Sequence, residues 1–102
     1  MNRLIEDKRR ELELICRNRK VQQIELFGSA TGPTFDPASS DLDFLVTFDD
    51  LPVSSYADAY FGLLEDLQRL FQRNVDLVIE SSIQNPYFRQ SIDATRTLVY
   101  AA

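Results

Sequence analysis

The segment from Leu26 to Val46, LFGSATGPTFDPASSDLDFLV, constrains this chain more than any other. Two apolar stretches flank a loop that holds Gly28, Ser29, Gly32, Pro33, Pro37, Ser39 and Ser40, which is turn chemistry throughout. From residue 42 the pattern alternates. Leu42, Phe44, Val46 and Phe48 share one strand face, and Asp41, Asp43, Leu45 and Thr47 share the other. Two carboxylates therefore lie on one face, roughly 7 Å apart at the backbone. That face turns apolar at Leu45, which predicts a covered centre with a charged mouth.

A third acid stands in a similar setting. Asp76 lies between Val75 and Leu77 in a short predicted strand, residues 75–80. Adjacent strands lie roughly 5 Å apart, so a register that sets Asp76 beside Asp41 or Asp43 makes a cluster of three carboxylates. Two unit charges 4 Å apart repel by roughly 4 kcal/mol at an effective dielectric of about 20. A bound proton relieves this, and so does Mg²⁺ or Mn²⁺. The chain has one cysteine, Cys16, and no histidine. An internal disulfide, a Cys/His zinc site and histidine acid–base chemistry from this chain are excluded. Hard carboxylate oxygens suit magnesium. Gly28 lets a phosphate approach the backbone, and Ser29 offers a hydroxyl and an N–H. A phosphate would meet neutral donors on one side and metal on the other, as nucleoside triphosphate chemistry requires.

The rest of the chain supplies a scaffold. Residues 2–19 read as a charged helix with a thin apolar stripe through Ile5, Leu12 and Ile15. Val21 to Phe27 reads as a strand. Tyr56, Tyr60, Leu63, Leu64, Leu67, Leu70 and Phe71 keep helical spacing through residues 55–72, with Ser54 or Ser55 as its cap. Pro86 opens a final helix over roughly 86–98. The order α-β-β-α-β-α, without repeats, predicts an α+β fold with a small mixed sheet packed on helices. A length of 102 residues suits one domain, residues 1–102.

The net charge is −5, yet residues 1–20 are basic by three charges. Nucleic acid is therefore not the expected partner of the whole surface. Lys8, Arg9 and Arg10 read as a solvated helix face, Asp36 as a local Asx turn before Pro37, and Asp49 and Asp50 as turn residues. Arg73 is not assigned to the triphosphate. No apolar run approaches 18 residues, and the N-terminus lacks a signal-peptide core. The default setting is cytoplasmic, with no membrane association.

Gly28-Ser29, then eleven intervening residues, then Asp41-Leu42-Asp43, with Asp76 in NVDLVIE, resembles the signature of the nucleotidyltransferase superfamily. The size and the ending NPYFRQSIDATRTLVY are most similar to minimal nucleotidyltransferases of the MntA kind. The resemblance implies a nucleotidyltransferase palm that uses ATP and Mg²⁺, with Mn²⁺ as an alternative. It implies Asp41 and Asp43 as the main metal ligands, Asp76 as the third catalytic acid, and Gly28 and Ser29 as the triphosphate cradle. Thr31 stands where such members often carry arginine. It can donate a hydrogen bond to phosphate but cannot neutralise charge. Many minimal members are antitoxins paired with a HEPN-domain toxin, some transferring AMP to a toxin tyrosine, and a hetero-oligomer around a toxin dimer is implied. Two other readings compete: an antitoxin that neutralises by complex formation alone, and an RNA- or nucleotide-binding module that uses the basic leading helix.

Overall fold

In the computed structural model, which describes residues 2–102, the alternating segments build a four-stranded sheet of order β3-β2-β1-β4. Strand β1 is Val21–Phe27 and β2 is Leu42–Phe48. They pair antiparallel, with Ile24 opposite Val46 and Phe27 opposite Asp43. Strand β3, Val75–Ile79, runs parallel to β2 and sets Asp76 opposite Asp43. Parallel neighbours need a crossover. Helix α3, Val53–Phe71, supplies it. Strand β4, Thr97–Ala101, pairs antiparallel with the other side of β1.

Helices α1 (Arg3–Asp7), α2 (Arg9–Asn18) and α3 belong to the core of one sheet face. Ile5, Leu12, Cys16, Leu63 and Leu67 are buried there with Ile24, Leu26, Phe44 and Val46. Each such side chain contributes roughly 1.5–3 kcal/mol on burial, so this layer carries most of the stability. Arg19 donates from Nε to Asp66 at 2.7 Å and ties α2 to α3. It lies across Gly62, where any Cβ would collide with the guanidinium. A smaller core sits on the opposite face. There Phe27, Leu45 and Ile92 of α4 (Pro86–Thr95) pack with Val78 and Ile83. Leu45 is apolar among charges because α4 covers the centre of that face.

The observed order departs from the predicted α-β-β-α-β-α in two places. The leading helix breaks at Lys8 (φ −114°, ψ 13°). Arg9 donates from Nη1 to the Val99 carbonyl at 2.7 Å, and this contact anchors the start of α2 to β4. The final helix stops at Thr95, and the rest of the segment assigned to it becomes β4. β1 has a free edge whose N–H and C=O groups need partners, and the run Thr97–Tyr100, with β-branched Thr97 and Val99 and aromatic Tyr100, meets that need better than a frayed helix end. Helix α3 also starts at Val53, ahead of the expected cap at Ser54 or Ser55. It ends at Gln72 in the left-handed conformation, φ 54°. Among the described residues no helix is long and apolar enough to cross a membrane.

Candidate active site

β1 leads directly into a 3₁₀ turn over Gly28–Thr31. Gly28 has φ +76°, and a Cβ there would stand 2.5 Å from Asp43 Oδ2. Glycine is demanded twice, by the backbone and by the carboxylate beside it. Both polar groups of its backbone are held by threonine hydroxyls. The Gly28 N–H donates to Thr95 Oγ1 at 2.9 Å, and the Gly28 carbonyl accepts from Thr31 Oγ1 at 2.7 Å. The hydroxyl proton of Thr31 is thus committed within the turn. Ser29 is exposed, and Ala30 is buried.

Asp43 is half-buried, flanked by Phe27 on β1 and Asp76 on β3. Residues paired across neighbouring strands project to the same face. Asp76 is exposed on the outer strand β3, and Asp41 is exposed one residue before β2. Burial pushes the Asp43 carboxyl up to about 6, reinforced by the charge of Asp76, by a hydrogen bond with it, and by the charge of Asp41. The structure therefore brings Asp43 and Asp76 together beside Gly28, with Asp41 at the mouth. Among the described residues, no set of three His, Cys, Asp or Glu side chains is gathered closely enough to hold a metal ion as it stands.

The long loop that precedes Asp41 has its own internal structure. Asp36 accepts from the Ala38 N–H at 2.9 Å and from the Ser39 hydroxyl at 2.8 Å, the expected local turn. Those two bonds hold its carboxyl below the usual range. Arg73 donates from Nη1 to the Ser40 carbonyl at 2.9 Å and from Nη2 to the Pro37 carbonyl, and its guanidinium lies 5.6 Å over the Phe35 ring. It clamps the loop next to Asp41.

An ion network at the other end of this face has no counterpart in the sequence reading. Arg96, at the end of α4, forks onto Glu25, at 3.0 Å from Nε and 2.7 Å from Nη2. Nη2 also meets Glu80 at 3.0 Å, and Nη1 meets Asp93 at 2.8 Å. Glu25 is only 7% exposed. Its hydrogen bonds with Arg96 hold its carboxyl below the usual range against the opposing effect of burial. A lone acid between Ile24 and Leu26 in a buried strand was the available signal. Its partner is 71 residues away, and no local pattern points to it.

Known proteins resemble this chain in sequence and in fold. A Methanocaldococcus jannaschii protein, proposed to be a protein adenylyltransferase, is 36% identical over 86 residues, 83% of each chain. The fold matches a solved minimal nucleotidyltransferase with a TM-score of 0.70 at 23% identity, covering 91% of this chain and 90% of that one. It also matches a chain in the structure of a tri-AMPylated Shewanella oneidensis HEPN toxin bound to its MNT antitoxin. That match has a TM-score of 0.64 at 22% identity and covers 95% of this chain and 72% of that one. These two structural likenesses concern the fold. The sequence model of the nucleotidyltransferase domain matches residues 9–99, and on that match this chain belongs to the nucleotidyltransferase domain family.

Proposed function

We propose that this protein is a metal-dependent nucleotidyltransferase antitoxin that transfers AMP from ATP to a tyrosine of a cognate HEPN toxin. The observation that carries the reading is the placement of Asp43 against Asp76 and beside the Gly28 turn. The relative proposed to be a protein adenylyltransferase and the solved complex of an AMPylated HEPN toxin with an MNT antitoxin support the choice of reaction and partner.

The donor set fits a hard divalent cation. Asp43 carries a raised proton affinity because it is half-buried and because Asp76 and Asp41 add like charge beside it, and a cation offsets that charge as a proton does. Asp41, Asp43 and Asp76 would hold Mg²⁺ or Mn²⁺, with the exposed Asp41 side chain turning inward to complete the set. A metal held there would neutralise charge at the triphosphate and would acidify the attacking hydroxyl. Ser29 offers its hydroxyl and N–H to the phosphates. Asp76, open to solvent on the outer strand, takes the tyrosine proton. The tyrosine oxygen then bonds to the α-phosphorus, the bond from that phosphorus to the bridging oxygen breaks, and pyrophosphate leaves.

ATP labelled at the α-phosphate tests this. Label on the partner's tyrosine, lost with Asp41→Asn/Asp43→Asn, is the expected result. The commitment of the Thr31 hydroxyl to Gly28 favours a second reading, neutralisation by binding alone, since no donor replaces the family's arginine there. In that case the double variant neutralises the unlabelled partner as well as the native protein does.

A further inference from the structure

We propose that Thr95 is a positioning residue for the triphosphate, an inference that rests on the nucleotidyltransferase reading. Thr95 ends α4 and faces the sheet in register with Phe88 and Ile92, at helical spacings of seven and three residues. Ile92 is buried against Phe27 and Leu45, and the Phe88 ring meets the Phe27 ring edge-on at 6.3 Å. α4 is thus fixed across the face that carries Asp43. Its last residue comes to lie where the Thr95 hydroxyl accepts the Gly28 N–H at 2.9 Å.

Two consequences follow. The Gly28 amide is occupied, so it is not a phosphate donor, and that role falls to Ser29. The same bond also holds the turn from outside it. Gly28 sits at φ +76° with no room for a side chain beside Asp43, and its conformation aims the next residues of the turn. Thr31 fixes the Gly28 carbonyl from inside the turn, whereas Thr95 fixes the Gly28 N–H from a distant element. Arg96, the next residue, is locked to Glu25, Glu80 and Asp93, so the end of α4 has little freedom to withdraw. Thr97 bonds to the Thr95 backbone carbonyl and not to its hydroxyl, so substitution at the side chain leaves that contact intact.

The test uses the full chain with Thr95→Val, which keeps the shape and removes the acceptor, and Thr95→Ser, which restores it. Thr95→Ala serves as the second acceptor-free variant if valine prevents folding. Amide hydrogen exchange at Gly28 and the Kd for ATP with Mg²⁺ are both measured. Gly28 exchange should accelerate in the acceptor-free variants, ATP affinity should fall by about three- to tenfold, the scale of one neutral hydrogen bond, and serine should restore both. Native ATP affinity in a folded acceptor-free variant whose Gly28 amide has been freed would overturn the inference. So would serine behaving like valine, or a wild-type protein that does not bind ATP. Wild-type ATP binding without transfer to a partner would instead sink the catalytic reading and leave the role of Thr95 standing.

Discussion

Asp43→Asn should make the metal-free protein more stable at neutral pH. Asp43 titrates near 6 in the folded chain against an ordinary 3.8. The folded state therefore holds this proton more tightly than the unfolded state does. Linkage fixes the sign: stability from this group is fully present below 3.8 and is lost as pH rises through 6. Each pH unit of that gap corresponds to about 1.4 kcal/mol. The full gap is about 3 kcal/mol, and screening at a half-buried group beside two exposed acids reduces it to roughly 1–2 kcal/mol. Asparagine keeps the shape, carries no charge and can donate to Asp76. For a domain of this size, the melting temperature should rise on the order of 5–10 °C. The assay is thermal melting by circular dichroism from pH 4 to 8, at low salt with a chelator. The variant should exceed the wild type at pH 7.5, and the two curves should converge near pH 4. Mg²⁺ should narrow the gap at pH 7.5 by stabilising the wild type more. A variant no more stable than wild type at pH 7.5, or a gap that does not change with pH, would show that the Asp43 charge does not destabilise the fold.

Other substitutions probe the supports of the site. Gly28→Ala forces a side chain into a left-handed backbone position and against Asp43 Oδ2; it should cost about 2–4 kcal/mol in a denaturant titration and weaken ATP binding. Arg96→Gln leaves Glu25 buried without its cation and should cost about 2–4 kcal/mol, part of which Glu25→Gln in the same chain recovers. The stability that this pair supplies should be lost as pH falls below 4.5 through the lower folded value of Glu25, which melts of wild type and Arg96→Gln would reveal. Arg73→Gln releases the Pro37 and Ser40 carbonyls, so limited proteolysis should cut residues 32–40 faster while the melting temperature changes little.

The strand pair around the Gly-Ser loop was legible because period-two alternation and turn residues are local signals. The two faces of β2 came out as read, with Leu45 under α4 and Asp43 at the mouth. The register of Asp76 against Asp43 was open in the sequence, since the length of α3 and the packing of both faces set it together. β4 was missed because Ile92, Thr95 and Val99 continue a helical spacing, and a short apolar run can satisfy either period. Only the free edge of β1 decides between them. The break at Lys8 depends on Arg9 reaching Val99, 90 residues away. Thr95 and Arg96 escaped for the same reason: their partners, Gly28 and Glu25, lie on β1 and the turn that ends it, far away in the chain.

Intact mass of the proposed HEPN partner decides whether the acids at the site drive adenylyl transfer. The partner is incubated with ATP, Mg²⁺ and either the native chain or Asp41→Asn/Asp43→Asn. A partner heavier by whole adenylyl groups with the native chain, and unchanged with the double variant, is the expected result. An unmodified partner in a stable complex with the native chain, ATP and Mg²⁺ present, would contradict adenylyl transfer.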